Sequence, residues 1–274
     1  MSTEVIQQKQ RLSLLSYNLQ VGINSSRYSD YLTQSWRHLL PDSKRNENLS
    51  RVADWLSEYD VVALQEVDAG SLRSQYINQI EFLAHKGGFP HFHQQQNRNF
   101  AGLTAHANGV LTKYQSTQVT LHKLPGRISG RGALEINIES KGSAIKIISA
   151  HLALGQRARR SQLEYIANLV KNTEHFVIMG DMNCNKDTVL DVFKSAKIKV
   201  RRNPLISPTY PRWKPKYCYD QIWISENLEI IKSRVLNLGV SDHLPIMMEI
   251  EIPETNNAQK YIPVKQNLSK QINS

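Results

Sequence analysis

Cysteine is nearly missing from this chain: its 274 residues include two, Cys184 and Cys218. That is too few for a disulfide scaffold or a cysteine-rich zinc site, and it suits a reducing compartment. Long apolar runs are missing too. No window approaches the roughly 18 uninterrupted apolar residues of a membrane-spanning helix. The start, Met1 to Gln10, is polar and lacks the apolar stretch of a signal peptide, so a cytoplasmic location is expected. Acidic residues fall short of basic ones, 24 against 34, which leaves a net charge of +10. Such a surplus fits an anionic partner such as nucleic acid, a phosphorylated metabolite or a lipid headgroup, and fits plain solubility equally well. Repeats of fixed period and low-complexity linkers are absent.

What is there reads as one folded body. Hydrophobic residues make up 40% and charged residues 21%, a globular balance that argues against global disorder. The expected organisation is a flexible arm over 1–10, one domain over 11–253 and a polar tail over 254–274. Within the domain, apolar strand-like runs alternate with helical patterns. Leu12 to Leu19 predicts a strand, Asn48 to Tyr59 a helix with Leu49, Val52, Ala53 and Leu56 on one face, and Asp60 to Glu66 a buried strand. Further strands are predicted at Gly109–Thr112, Ala133–Ile138, Ala144–Ser149, His175–Met179, Asp220–Ser225 and Ile246–Ile252, with a helix over Arg160–Lys171. Polar residues repeatedly close these strands: Asn18, Glu66, His151, Asp181, Asn183, Asp242 and His243. In an open α/β sheet such positions line the edge where ligands bind.

The chemistry of these residues can be stated before any likeness. A carboxylate at a buried strand end, such as Glu66, needs a cation or hydrogen bonds. Mg²⁺ suits it, because that ion binds through one or two carboxylates, keeps several waters and accepts substrate phosphate. A merely structural or solvated Glu66 is the plainer alternative. Asp181 and Asn183 stand two positions apart and share a side if the segment is extended. They could orient a water and a phosphate oxygen, although Gly-Asp-x-Asn is also a good turn sequence. His243 could handle charge at a reacting phosphate with Asp220 orienting its ring, or it could simply cap a strand.

Taken together, six short motifs occur in order: Ser16-Tyr17-Asn18, Leu64-Gln65-Glu66-Val67, Ser149-Ala150-His151-Leu152, Gly180-Asp181-Met182-Asn183, Tyr219-Asp220-Gln221-Ile222 and Ser241-Asp242-His243-Leu244-Pro245. The set resembles the endonuclease/exonuclease/phosphatase superfamily over about residues 11–253. That resemblance implies an α/β fold, a four-layer sandwich of two packed mixed sheets flanked by helices. It also implies hydrolysis of a phosphoester with a divalent ion, Mg²⁺ or Mn²⁺ in its place. By motif, Asn18, Glu66 and Asp242 match metal-site positions. Asp181 matches the residue that activates water, Asn183 and His151 match phosphate-facing positions, and Asp220 and His243 match the carboxylate–histidine pair beside the scissile phosphate. Asn108 and Arg131 match phosphate positions more loosely. The family's Gly-Asn is reversed here to Asn108-Gly109, which leaves the role of Asn108 open.

The substrate is not fixed by these motifs. Three basic runs bear on it: Arg157, Arg159 and Arg160; Lys194 to Arg202; and Arg212, Lys214 and Lys216 interleaved with Tyr210, Trp213, Tyr217 and Tyr219. An insertion-like stretch from Asn24 to Lys44 adds Tyr28, Tyr31 and Trp36. Basic and aromatic residues together suit a polynucleotide, which is the favoured partner. A phospholipid, glycolipid-anchor or inositol phosphate substrate is the alternative. A catalytically silent binding module is a further reading, which loss of Glu66, Asp181 or His243 would have favoured.

Overall fold

The computed structural model describes residues 10–20, 44–71, 74, 76–100, 104–126, 131–140, 142–202 and 207–253. The arm, the tail and the insertion-like stretch therefore lie outside the described residues, apart from Gln10 and Lys44.

Two strand–helix–strand units organise the molecule. In the first, β1 (Gln10–Asn18) leads through α1 (Lys44–Leu56) to β2 (Val61–Asp68), which runs parallel to β1. In the second, β7 (Ser143–His151) leads through α3 (Gln156–Val170) to β8 (Phe176–Asp181), again in parallel. Parallel neighbours require such a crossover. The remaining elements are α2 (Gln79–Lys86), β3 (His91–Phe100), β4 (Thr104–Thr112), β5 (Ser116–Lys123), β6 (Gly132–Ser140), α4 (Lys186–Ser195), β9 (Val200–Arg201), β10 (Asp220–Ser225), β11 (Glu229–Val235) and β12 (Ile246–Ile252). They complete two six-stranded mixed sheets, ordered β11-β12-β1-β2-β4-β3 and β5-β6-β7-β8-β10-β9.

Side-chain alternation explains the layering. Along β1, Leu12 and Leu14 face the second sheet, while Leu15, Tyr17 and Leu19 face helices α1 and α2. From the second sheet, Ile136, Ile147, Met179 and Ile222 meet that inner face. Its outer face is covered by α3 and α4 through Leu163, Ile166, Val189 and Phe193. The result is helix, sheet, sheet, helix, the four-layer sandwich that the motifs imply. Each fully buried leucine or isoleucine contributes about 2 kcal/mol of apolar burial, and these two types predominate in the inter-sheet layer, with Val, Met and Ala filling the rest.

Caps fix the short helices. The Asn78 side chain accepts from the Ile80 and Glu81 amides at 3.1 and 3.4 Å, and Asn185 accepts from Thr188 at 3.1 Å. An uncapped Ala at such a position costs about 1 kcal/mol.

Candidate active site

The two parallel units point their carboxyl ends at the same edge of the sandwich. Asn18 pairs with Gln65 across β1 and β2, and His151 pairs with Asp181 across β7 and β8. Asp220, at the start of antiparallel β10, pairs with Asp181 on its other side. His151, Asp181 and Asp220 thus stand in a row by strand register alone. This row of pairs also depends on a glycine. Gly180 has φ +147°, and a Cβ there would fall 1.8 Å from the Ala150 carbonyl oxygen, so only glycine fits.

Glu66 reaches the site by a different device. Register slips by one residue between Leu64 and Val67 against β4, a β-bulge, and Glu66 takes a left-handed φ of +54°. Leu64 and Val67 both face the helices. Gln65 and Glu66 are the two residues taken up by the bulge, and Asn108 lies opposite them on β4. Left-handed non-glycine residues are uncommon and cluster where geometry serves a site. Asn183 is a second one, with φ +50° just past the end of β8.

Asp181 is the hub. Its Oδ2 accepts from Asn18 Nδ2 at 3.1 Å, a bond that joins the two sheets. The same oxygen lies 3.5 Å from His151 Nε2 and 4.0 Å from His243 Nε2. Its Oδ1 accepts from the Asn183 amide at 2.9 Å. His151 Nε2 is also 3.8 Å from Glu66 Oε1. His243 Nδ1 sits 2.8 Å from Asp220 Oδ2. Asp242 accepts from Ser241 Oγ at 3.2 Å and is buried beside them.

All the strand-end residues singled out in the sequence therefore converge. Asn183 donates its side-chain amide to the Leu152 carbonyl at 2.9 Å, with one N–H to spare. Asn108 donates to the Gly132 carbonyl at 3.1 Å, stitching β4 to β6. Arg131 is half-buried, and its charge reaches the Glu66 carboxyl. It borders a cavity of about 640 Å³ whose other walls include Leu154, Arg157 and Ser161, close after His151.

The electrostatics follow from crowding. Burial raises the Glu66 pKa, and the His243 charge opposes that rise. A third of the Glu66 side chain is nevertheless open to the cleft, 33% by exposure. Burial lifts Asp181 to about 6 against the opposing charge of His243. It lifts Asp242 to about 6 as well, again opposed by His243 and reinforced by Glu66. For His243, burial alone would lower the pKa; the charge and hydrogen bond of Asp220, helped by Asp181 and Asp242, raise it to about 10. The imidazole is therefore held protonated. Three carboxyl groups and one amide oxygen facing one opening form a hard oxygen donor set, which fits a divalent cation. Among the described residues no three His, Cys, Asp or Glu side chains close into a metal cage. A cation that binds through one or two carboxylates and keeps its waters needs none.

Sequence reasoning passed over the residues that hold this edge together. The Tyr17 hydroxyl accepts from the Val240 and Ser241 amides at 2.7 and 2.9 Å, fixing the loop before Asp242; its burial raises its pKa, so it stays neutral. Thr209, wholly buried, places its Oγ1 3.3 Å from the Asp220 amide and its carbonyl 2.9 Å from the Leu244 amide. Tyr17 stood in the first motif without a role of its own and Thr209 in none, because both act through contacts more than ten residues away along the chain. The basic runs divide. Arg212 donates its guanidinium to the Gly239 carbonyl and its amide to Asp242 O, so it is a brace and not a free cation. Arg159 donates to the Leu154 carbonyl at 2.7 Å and Arg160 pairs with Glu164 at 3.1 Å. Lys199 pairs with Glu226 at 3.1 Å, and Arg201 sits opposite Ile224, toward the end of β10 away from Asp220. Lys214 and Lys216 are exposed and form no ion pair among the described residues.

Residues 15–243 match the sequence model of the Endonuclease/Exonuclease/phosphatase family. Among solved structures, the fold is similar to an endonuclease/exonuclease/phosphatase from Beutenbergia cavernae, with a TM-score of 0.69 and 17% identity over 89% of this chain and 72% of that one. It is similar to a mannosyl-6-phosphatase of Bacteroides thetaiotaomicron, with a TM-score of 0.62 and 15% identity over 87% and 99% of the two chains. It also resembles a beta toxin of Staphylococcus aureus, with a TM-score of 0.62 and 16% identity over 86% and 99%. No curated protein matches the chain. Among the described residues, no helix is long and apolar enough to cross a membrane.

Proposed function

Because the chain belongs to the endonuclease/exonuclease/phosphatase family of hydrolytic phosphoesterases, we propose that it is a divalent-metal-dependent phosphodiesterase acting on nucleic acid. The observation that carries this reading is the position of the Asp181 carboxylate. It lies among the Asn18 amide from the first sheet, the imidazole of its strand neighbour His151, and the imidazole of His243 from the loop before β12.

Glu66, Asn18 and Asp242 are the residues that would hold Mg²⁺, or Mn²⁺ in its place. The cation would supply neutralisation of charge at the scissile phosphate and its leaving oxygen. Asp181, with its pKa lifted toward neutrality, takes a proton from the attacking water as the water oxygen bonds to phosphorus and the opposite P–O ester bond breaks. Asn183 and His151 face the non-bridging oxygens. His243, kept protonated by Asp220, donates to the negative charge that grows there.

Exposed Lys214 and Lys216 beside Tyr217, on the hairpin leading into Asp220, support a polynucleotide as the substrate. One observation favours a lipid substrate instead: Tyr76, Leu154 and Leu238, 72%, 73% and 47% exposed, sit on loops at this same edge. The deciding experiment is a Mg²⁺/Mn²⁺ activity panel over single- and double-stranded DNA, RNA, phospholipid vesicles and inositol phosphates. Turnover of DNA or RNA is expected. Turnover of vesicles alone would replace this reading with the lipid one, and no turnover of any phosphoester would leave a silent binding module.

A further inference from the structure

A column of aromatic rings begins at the imidazole of His243 and ends in solvent. Tyr210 lies against His243, with ring centres 4.7 Å apart. Tyr219 stacks on Tyr210 at 5.6 Å, and Tyr217 stacks on Tyr219 at 5.1 Å with planes only 10° apart. Backbone geometry builds the column. Tyr217 and Tyr219 are two residues apart in an extended segment, so they project to one side. Tyr210 and Tyr217 exchange amide–carbonyl hydrogen bonds of 2.9 and 3.0 Å across the hairpin.

The column is fixed relative to the reaction centre. Leu244 donates to Thr209 O at 2.9 Å, and Arg212 donates to Asp242 O at 2.6 Å. The hairpin is thus tied on two sides to the loop that carries Asp242 and His243. Its inner rings have a structural purpose, since Tyr210 packs the face of the imidazole. The outermost ring has no such purpose. Tyr217 is 49% exposed and covers nothing of His243. Lys214 and Lys216 stand exposed on the same hairpin.

We propose that Tyr217 is a stacking platform for a nucleobase near the scissile phosphate, in a strand that is single or locally unpaired. The inference rests on the nucleic-acid reading above and adds the element that would bind the base. A flat, exposed ring backed by a parallel ring suits a π-face of any base, and the two lysines suit the flanking phosphates. A base held there is registered against His243 by three rings of fixed spacing. A base-paired duplex presents no free face to it.

The test uses the wild-type protein in chelator, so that nothing is cleaved. It is titrated with a single-stranded oligonucleotide of about 12 residues carrying 2-aminopurine, and with a matched strand of abasic sugars. The base-bearing strand is expected to bind about tenfold more tightly, with 2-aminopurine fluorescence quenched on binding. Tyr217→Ala should abolish both the preference and the quench, and Tyr217→Phe should keep both. Lys214→Gln with Lys216→Gln should weaken both strands alike. Equal affinity of the wild type for the two strands, or a preference that survives Tyr217→Ala, would overturn the platform while leaving a nuclease in place. If the wild type binds neither strand at low salt, and instead cleaves phospholipid vesicles with Mg²⁺, the nucleic-acid reading itself falls and the platform with it.

Discussion

Nδ1 of His243 lies 2.8 Å from one carboxylate oxygen of Asp220, while the other Asp220 oxygen is buried with no hydrogen-bond partner among the described residues. The charge and hydrogen bond of this carboxylate are what raise the His243 pKa against the effect of burial. Asp220→Asn should therefore lower the His243 pKa from about 10 by at least about one unit, because burial then acts with less opposition. Imidazole titration by NMR in metal-free protein measures this. The sign of the stability effect follows. The folded pKa is raised above the ordinary histidine value, so the contribution is complete below about pH 6.5 and is lost as pH rises through about 10. Wild-type stability should fall across that window, and Asp220→Asn should flatten the fall. An unchanged titration would remove Asp220 as the partner.

Glu66→Gln separates binding from folding. The amide is a poorer hard ligand, so calorimetry should show weaker Mg²⁺ binding, and kcat/KM should drop by at least about 10²-fold. In chelator the same variant should melt no lower than wild type, because it removes the cost of burying the Glu66 carboxylate and its repulsion with Asp181, which together outweigh the lost attraction to His243. Wild-type Mg²⁺ affinity in the variant would exclude Glu66 from the site.

Gly180→Ala should be among the most damaging small substitutions in the protein. The added methyl would meet the Ala150 carbonyl, and φ +147° is strained for any L side chain. A loss of about 3 kcal/mol or more is expected from denaturant unfolding, or failure to fold at all. A stable, active variant would show that β7 and β8 can separate without harm.

Salt dependence distinguishes the three cations of the 210–219 hairpin. Arg212 is committed to the Gly239 carbonyl, which leaves Lys214 and Lys216 to release counterions. Replacing both lysines should reduce the log–log salt slope of DNA binding by about two, not three. Arg212→Ala should instead lower the melting temperature with little change in slope. A slope change of about three on removing all three charges would show that Arg212 leaves its brace.

The cysteines should be bystanders. Cys184 is buried and its thiol is pushed up to about 11 by burial, and burial raises Cys218 too. Neither supplies a thiolate near neutral pH. Cys184→Ser and Cys218→Ser should each keep turnover within about threefold of wild type. Loss of activity in both would point to thiol chemistry.

What the sequence made legible was the buried centre of each sheet. Strands β1, β2, β7, β8, β10 and β12 are apolar runs because both their faces are covered, and polar residues mark where they stop. The sequence offers no comparable signal for β3, β5, β9 and β11, which are the four sheet edges. The edge strand β3 reads His-Phe-His-Gln-Gln-Gln, and β5 and β11 alternate between exposed and half-buried positions, so no apolar face announces them. Helix α2 is only eight residues long and depends on its Asn78 cap. At the site, the residue types were legible and their meeting was not. Asn18 and Asp181 are 163 positions apart, and nothing local foretells that bond. Glu66 was expected at the end of its strand, yet β2 continues to Asp68 and a bulge delivers the carboxylate. Alternation cannot foretell such a change of parity, since it assumes an unbroken pleat.

The pairing of β1 with β12, from Gln10 against Ile252 to Ser16 against Ile246, has a consequence for the chain during synthesis. Among the described elements, the strand that carries Asn18 comes first along the chain, and its antiparallel neighbour comes last. His243 and Asp242 are translated just ahead of that neighbour. Until they leave the ribosome, β1 lacks its antiparallel neighbour, and Asp181 has the imidazole of His151 beside it but not that of His243. A chain at that stage holds most of the candidate site but not its last two residues. Contacts this distant in sequence are slow to form, so the candidate site is completed only once the two ends of the fold have met.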